Sequence, residues 1–404
     1  MRRNTFRAVG HLWRLYCGSG IIEQSLAEAV DRAGARRAFV ITSPSVNTTT
    51  DIVRRVRAAL GPRYAGAFDA IEKDATYSSV VTAKRAATSA KADLLIAIGG
   101  GSVIVATRAV AIFLAEIGDP SAIMTQYPDG KPAYSPRLLA PKLPIINVPT
   151  TPTSAMNRAG TGLKNAELGQ RMEYFDPKTR PQAIFLDAEA LLSAPPALVR
   201  STATTVFATL VGAMSQVEIN PLAEGDRNHA FRLAHRAHLR LMNELDDPAL
   251  RTDLCIAAFL QNRSEDDGEP PFRRGAFSGN YAVSTALHVR YPQVGQGEST
   301  SVVHATSIRI AETIDLASAQ QIAQALGVWR EGMDAREAGL AVADSLENIY
   351  ERVGVPTKLR QLGIPRSDLK YIAKETTRNF NANAGARTDD MQIEQSLRLL
   401  EAAW

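Results

Sequence analysis

The chain has 404 residues, more than one ordinary hydrophobic core supports, so two domains are expected. Its composition, with 45% hydrophobic and 22% charged residues, is typical of a soluble globular protein. The net charge of +4 is spread along the chain, which does not indicate a nucleic-acid partner but is compatible with small anionic ligands. With only Cys17 and Cys255, a disulfide framework is excluded and a reducing cytoplasm is expected. We expect neither a secretory signal nor a membrane helix.

The first part of the chain alternates between helical and strand patterns. This alternation predicts an α/β domain, a parallel sheet with helices on both faces. A long Pro-rich linker at 127–142 interrupts the alternation, and such loops are usually functional or mobile. The predicted helices are 21–34, 50–61, 78–92 and 103–117, and the predicted strands are 37–44, 64–71, 93–99, 143–151 and 182–187.

After residue 193 the strand patterns nearly vanish and helical patterns dominate. We place the domain boundary near 190–197, where Pro195 and Pro196 begin a helix. The prediction is therefore an α/β domain at 1–192 and an all-helical domain at 193–404. The predicted helices are 198–217, 221–244, 247–263, 275–290, 300–326, 334–353 and 366–380.

A glycine-rich turn follows the buried strand pattern DLLIAIG and precedes a helix. Gly100 and Gly101 let the backbone approach a ligand closely, and a helix start presents free N–H groups to an anion. Ser102 adds a hydroxyl donor. The spacing matches neither the GxGxxG pattern nor a phosphate-binding Walker loop. The turn therefore indicates either a nucleotide-binding loop or a tight structural turn.

A second polar loop follows the buried strand LPIINVP. It carries Thr150, Thr151 and Thr153 at the carboxyl end of the predicted sheet, the edge at which open parallel sheets bind ligands. These hydroxyls could bond a ribose or a phosphate, although a capping turn rich in Ser and Thr explains them as well. Two such loops at one edge strengthen the ligand-binding interpretation.

Several motifs, in this order along the chain, resemble the iron-containing (group III) alcohol dehydrogenase superfamily. They are ADLLIAIGGGS, LPIINVPTT, IFLDAEALLSAPPALVRSTA, NPLA and GVPTKLRQLGI. The segment GLKNAELGQRMEYFDPKTRPQAIFLD is similar to the maleylacetate reductase branch of that superfamily. The resemblance implies a nucleotide-binding α/β domain, an all-helical domain and NAD(P)(H) bound in the cleft between them.

The resemblance also implies roles for individual cofactor-binding residues. Gly100, Gly101 and Ser102 match the pyrophosphate-binding turn, and Thr150 and Thr151, beside Thr153, match threonines next to the cofactor.

Two further positions of this chain bear on the cofactor through the same resemblance. Arg171 falls where a cofactor-contacting Lys is common. Ser43 falls where many members carry an Asp that selects NAD through the ribose hydroxyls. A neutral Ser admits a 2′-phosphate, so both NADH and NADPH remain open.

The metal ligands of the family are largely replaced. Family dehydrogenases bind iron or zinc with an Asp, a His four residues later and two further His. In this chain these positions fall on Thr205, Thr209, Ser284 and His304. Neutral hydroxyls are poor ligands for a divalent transition metal, so we expect no catalytic metal. Thr205 and Thr209 are candidate substrate contacts, and the alternative is that each bonds the preceding helical turn.

The remaining candidates are histidines and arginines. His288 matches a family histidine that relays protons near the nicotinamide, and His304 is a second candidate proton donor. Arg273 and Arg274, with Arg158, are candidate anchors for a substrate carboxylate. Structural histidines and surface arginines are the alternatives.

The combined prediction is a metal-independent NAD(P)H-dependent oxidoreductase that reduces a small carboxylated carbonyl or enoyl substrate. One alternative is a biosynthetic lyase or cyclase on the same fold, and another is a non-catalytic nucleotide-binding protein. We expect a cytoplasmic homodimer with a small, anionic substrate and no nucleic-acid or membrane partner.

Overall fold

The computed structural model, which describes residues 5–168, 170–266, 275–379 and 388–404, shows a parallel sheet followed by an all-helical region. In the described residues the strands are β1 (Arg14–Gly18), β2 (Ala38–Thr42), β3 (Tyr64–Phe68), β4 (Leu94–Gly99), β5 (Ile145–Pro149), β6 (Gly160–Asn165), β7 (Gln170–Phe175) and β8 (Ala183–Asp187). Six strands form the parallel sheet in the order β1-β8-β5-β4-β2-β3. Strands β6 and β7 form a separate antiparallel hairpin.

Helices cover both faces of this sheet. They are α1 (Ile21–Arg32), α2 (Pro44–Thr49), α3 (Ile52–Leu60), α4 (Tyr77–Ser89), α5 (Gly101–Ala115) and α6 (Ala188–Leu192). Leu95 and Ala97 of β4 pack into a core with α4 and α5, whereas Leu94 and Ile96 pack into a second core with α1 and α3. Because both faces are covered, β4 is buried at every residue and reads as a continuous apolar run.

The rest of the described chain is helical. Its helices are α7 (Pro196–Met214), α8 (Pro221–Arg240), α9 (Pro248–Asp266), α10 (Tyr281–Arg290), α11 (Gln296–Arg309), α12 (Leu316–Ala325), α13 (Ala335–Arg352), α14 (Leu369–Glu375) and α15 (Asp389–Ala403). Helix α7 is long and apolar enough to cross a membrane, but 72% of that apolar window is buried inside the fold. Its length and apolar character therefore reflect its place as the central core helix of this region.

The predicted fold class is confirmed, but several predicted elements are wrong in detail. The edge strand β1, the hairpin β6–β7 and helix α15 were not predicted. The single helix predicted at 300–326 is two helices, since Asp315 caps a new helix by accepting from the Ser318 amide at 2.8 Å. The helix predicted at 275–290 begins only at Tyr281. The predicted domain boundary falls between α6 and α7 and stays a prediction.

Candidate functional site

The sheet brings the glycine turn and the threonine loop together. Strands β4 and β5 are neighbours, with Gly99 paired to Pro149. The Thr150 amide donates to the Gly99 carbonyl oxygen at 3.1 Å, just where the two strands end. Both loops therefore lie at the carboxyl edge of the sheet, as the sequence predicts for a ligand-binding edge.

Close packing between these loops explains the need for glycine. A Cβ atom on Gly100 would lie 3.3 Å from Thr151 Oγ1, and one on Gly101 would lie 3.2 Å from Thr153 Oγ1. Such contacts are tighter than nearly all real Cβ contacts. The glycines therefore keep a narrow space between the backbone of the turn and the two hydroxyls.

The polar groups in this space suit an anion. Helix α5 begins at Gly101, so its first N–H groups and the positive end of its dipole face the turn. Ser102 Oγ accepts from the Asp74 amide at 3.0 Å and keeps its own hydrogen to donate. Thr151 Oγ1 is buried and has no hydrogen-bond partner within the described chain. These residues fit the pyrophosphate of a dinucleotide, which would satisfy the buried hydroxyl.

Ser43 lies at the end of β2, next to β4 on the other side of the turn. Its hydroxyl caps α2 by accepting from the Val46 amide at 3.5 Å and lies 3.2 Å from Ser45 Oγ. In the sheet order β5-β4-β2, the ligand-facing loops run from the threonines through the glycine turn to Ser43. A dinucleotide laid along this edge would have one nucleoside near Ser43 and the other near the threonines.

Helix α10 carries His288 into the interior of the helical region. The helix begins at Asn280, whose side chain accepts from the Val283 amide at 3.3 Å and whose φ of 43° is left-handed. Gly279, before it, is also left-handed, with φ of 67°. Two successive left-handed residues turn the chain sharply into α10, and this places His288 near the end of the helix.

The His288 ring is neutral, and its tautomer is set by its hydrogen bond. Because the Ser284 carbonyl oxygen, 3.0 Å from Nδ1, can only accept, Nδ1 carries the proton and Nε2 carries the lone pair. Burial lowers the pKa of His288 to about 3, and the positive charges of Arg171, Lys73 and Lys164 act in the same direction. Nε2 is thus the ring atom that could exchange a proton. The three nearby positive charges favour the binding of an anion beside it.

The three cations near His288 come from the α/β region. Lys164 and Arg171 face each other across the hairpin, and Arg171 donates to the Gly162 carbonyl oxygen at 3.2 Å. Lys73 follows β3 and donates to the Pro292 carbonyl oxygen beyond α10, which joins the two regions. Arg171 was predicted as a cofactor contact, whereas Lys73 and Lys164 were missed.

Lys73 leads into a strained turn that the sequence does not reveal. Asp74 and Ala75 have φ of 64° and 53°, a region that side-chain-bearing residues rarely adopt. The turn is held by Ser102 Oγ and by the Lys164 amide, which donates to the Ala75 carbonyl oxygen at 3.2 Å. Strain of this kind often occurs at functional sites. The one feature of the sequence that points to this loop is that it follows β3, a strand of the same parallel sheet.

His304 is placed differently from the prediction that it donates a proton. It is fully buried, with Nδ1 2.6 Å from the Tyr350 hydroxyl and Nε2 3.0 Å from the Phe277 carbonyl oxygen. Both ring nitrogens are therefore engaged in holding α11 against its neighbours. This geometry favours the structural alternative, and the proton-donor role of His304 stays a prediction.

Thr205 and Thr209 follow the structural alternative. Thr205 Oγ1 donates to the Ser201 carbonyl oxygen at 3.3 Å, and Thr209 Oγ1 donates to the Thr205 carbonyl oxygen at 2.7 Å. Both bonds run to the preceding turn of α7, so the hydroxyl hydrogens are used within the helix. The predicted substrate contacts find no support in these hydrogen bonds.

The positions that match family metal ligands do not fit a transition metal. Thr205 and Thr209 present hydroxyls bonded to their own helix, and both nitrogens of His304 are bonded to protein groups. The Ser284 hydroxyl accepts from Thr300 at 3.1 Å. In the part of the chain that the structure describes, no group of three or more His, Cys, Asp or Glu side chains could hold a metal. The donor chemistry is therefore poor for iron or zinc.

Of the arginines predicted to anchor a substrate, the structure describes only Arg158, whose guanidinium is bonded to groups of α9. Arg158 Nε donates to Asn262 Oδ1 at 2.5 Å, and its terminal nitrogen lies 3.0 Å from a Glu265 oxygen. Arg158 therefore joins the threonine loop to α9. Arg273 and Arg274 lie outside the described residues.

Comparisons with known proteins agree with this arrangement. The profile described as iron-containing alcohol dehydrogenase matches residues 13–188, and the C-terminal profile of the Fe-containing alcohol dehydrogenase family matches residues 202–404. Lactaldehyde reductase of Escherichia coli (strain K12) is 23% identical over 94% of this chain and 95% of its own length.

Two further proteins are similar to this chain, one in sequence and one in fold. Maleylacetate reductase 2 of Cupriavidus pinatubonensis is 30% identical over 62% of each chain. The crystal structure of NADH-dependent butanol dehydrogenase A from Thermotoga maritima superposes with a TM-score of 0.84 over 98% of each chain at 17% identity, which shows a shared fold. The chain belongs to the iron-containing alcohol dehydrogenase family, is similar to maleylacetate reductases within it, and is an NAD(P)-dependent oxidoreductase.

Proposed function

We propose that this oxidoreductase uses NADH or NADPH, without a metal, to reduce a small carboxylated carbonyl or enoyl compound. The observation that carries the proposal is His288, a buried histidine next to three cations on a cofactor-binding fold in which three of the four family metal positions hold hydroxyl side chains. The relatives named maleylacetate reductase and lactaldehyde reductase make maleylacetate a suitable first carboxylated substrate and lactaldehyde a suitable uncharged comparison.

The cofactor would lie along the carboxyl edge of the sheet. Gly100, Gly101 and Ser102 would hold its pyrophosphate, and the buried Thr151 hydroxyl, with Thr153, would bond the part of the cofactor beside β5. When bound, the nicotinamide supplies the hydride. The protein's part is to fix the cofactor, bind the substrate and handle the proton.

An anionic substrate would change the protonation of His288. Three positive charges and burial keep the ring neutral, so it holds no proton at Nε2 to donate. A substrate carboxylate beside Lys73, Lys164 and Arg171 would offset those charges and raise the His288 pKa. His288 could then protonate the substrate oxygen from Nε2, while the Ser284 carbonyl keeps the ring oriented through Nδ1.

The same cations can replace the electrostatic role of a metal. Negative charge develops on the substrate oxygen as hydride arrives at carbon, and fixed positive groups stabilise it. Lys164 and Arg171 are paired across the hairpin, and this pairing fixes the positions of their backbones relative to each other. We also propose that the protein acts as a homodimer in the cytoplasm and has no nucleic-acid or membrane partner.

A substrate comparison tests the proposed function. Steady-state oxidation of NADH and NADPH would be measured with maleylacetate, which carries carboxylates, and with aldehydes that lack a carboxylate, lactaldehyde among them. We expect kcat/KM to be at least about tenfold higher for carboxylated substrates, since each charged hydrogen bond contributes about 1.5–3 kcal/mol. Equal or greater activity on the uncharged aldehydes would contradict the anionic substrate class. Cofactor binding without turnover of any substrate would contradict the reductase assignment.

A further inference from the structure

Arg108 lies under the cofactor-binding edge. It is on α5, seven residues after Gly101, and its side chain is 1% exposed. One terminal nitrogen donates to the Ala155 carbonyl oxygen at 2.6 Å and the other to the Gly160 carbonyl oxygen. Its guanidinium thus donates hydrogen bonds to both ends of the segment 155–160, which follows the threonines.

The charge of Arg108 is not balanced by a carboxylate. In the described parts of the chain, no ion pair involves this residue, and its Nε has no hydrogen-bond partner. Burial lowers the pKa of Arg108 to about 9, and the nearby charges of Arg158 and Arg180 add to this effect. An unpaired buried cation is costly, and an apolar residue of similar size is often more stable in such a place. Packing alone therefore does not account for an arginine here.

The segment that Arg108 holds is the threonine loop, 150–159, together with the start of β6. Asn147 also supports this loop, since its side chain donates to the Met156 carbonyl oxygen at 2.8 Å. From the helical region, Asn262 donates to the Ser154 carbonyl oxygen at 2.9 Å. Only Arg108, among these three supports, comes from the helix that also presents Gly100 and Gly101 to the ligand. Arg108 therefore connects the threonine loop directly to α5, the helix that begins at the glycine turn.

The sheet order indicates which half of the cofactor this coupling serves. Strand β4, with the glycine turn, lies between β2, with Ser43, and β5, with the threonine loop. A dinucleotide whose pyrophosphate lies at the turn therefore places one nucleoside at each side. The side near β5 is the one that Arg158 and Asn262 join to the helical region, which carries His288. The nicotinamide half belongs there, beside the proton-handling residue.

We propose that Arg108 is a positioning residue for the nicotinamide half of the cofactor, acting by fixing the threonine loop against the helix that binds the pyrophosphate. This inference rests on the proposed cofactor use. It assigns a function to a charged side chain that touches neither cofactor nor substrate and that sequence analysis had not placed in the site.

Binding measurements with the Arg108→Met and Arg108→Lys variants test this role. Dissociation constants for NADH and for AMP, which lacks the nicotinamide half, would be measured by calorimetry together with the melting temperature. For Arg108→Met we expect NADH to bind about tenfold more weakly and AMP to bind within twofold of wild type. Arg108→Lys keeps one donor for the loop carbonyls, so we expect a smaller loss for NADH and none for AMP.

Arg180→Met is the matched control. Arg180 belongs to the same arginine cluster but pairs with Asp266 at 3.3 Å instead of the loop, so both ligands should bind it as they bind wild type. Unchanged NADH affinity in both Arg108 variants would overturn the inference, and so would an equal loss for NADH and AMP. If Arg108→Met does not fold, Arg108→Lys gives the same comparison. A wild-type protein that binds neither ligand would instead contradict the proposed function.

Discussion

Two buried histidines of the helical region differ only in what their ring nitrogens contact. His288 has one nitrogen bonded to its own helix, which leaves Nε2 for proton exchange. His304 has both nitrogens bonded, one of them to Tyr350, which is 46 residues away in the sequence. Sequence patterns show that both are histidines on helices, but the partners come from remote elements. For this reason their roles could not be separated before the structure was available.

Substitution of the two histidines should separate catalysis from stability. We expect His288→Gln to lower kcat about 10²-fold, because general acid catalysis typically contributes that much, while the free energy of unfolding changes little. We expect His304→Gln to lower the free energy of unfolding by about 1–3 kcal/mol, because buried partners are left unpaired. Steady-state kinetics and urea denaturation measure the two effects. The reverse pattern would show that the proton-handling residue is misassigned.

At the scale of elements, strong periodicity and buried apolar runs were sufficient to predict the core of the fold. Strands β2, β4, β5 and β8 are short apolar segments between helices, and the pattern of alternation predicts their parallel arrangement correctly. The edge strand β1 was missed because it is only five residues long, none of its residues is fully buried, and it depends on pairing with β8. Tertiary pairing overrides local preference in such cases.

The site could be predicted only in part for a similar reason. The glycine turn and the threonine loop were predictable since each follows an apolar strand, and neighbouring parallel strands bring such loops together. Lys73 and Lys164 were not predicted, and the hairpin β6–β7, which places Lys164 opposite Arg171, was not predicted either. Lys73 depends on left-handed Asp74 and Ala75, and no residue type there signals a positive φ. The residue types of the site can be read from the sequence. Which of them lie close together depends on contacts between segments that are far apart in the chain.

At the scale of the whole molecule, three buried neutral histidines make stability depend on pH. Burial lowers the pKa of His238 to about 3, of His288 to about 3 and of His304 to about 4, from an ordinary value near 6.5. The unfolded chain therefore binds more protons than the folded protein below pH 6.5. Stability is full above that pH and falls as the pH drops toward the folded-state pKa values.

His238 offers the cleanest test of this linkage, because both its ring nitrogens lack hydrogen-bond partners within the described residues and its ring stacks on Phe207 at 4.8 Å. Between pH 7 and pH 5 the neutral His238 should cost wild type about 2 kcal/mol in its free energy of unfolding. We expect His238→Phe to lose about 2 kcal/mol less than wild type over the same pH range. Urea denaturation at several pH values measures this difference. His229→Gln, at an exposed position of the same helix, should leave the pH dependence unchanged. An identical pH profile for wild type and His238→Phe would contradict the buried neutral state.

We propose that hydride transfer in this protein proceeds without a metal, although the protein belongs to a family named for iron. The direct measurement is the rate of NADH or NADPH oxidation with maleylacetate before and after exhaustive treatment with a chelator, with the metal content of the same samples determined by mass spectrometry. We expect an unchanged kcat in protein that contains far less than one metal ion per chain. Loss of activity on chelation, with recovery when Fe²⁺ or Zn²⁺ is added back, would contradict it.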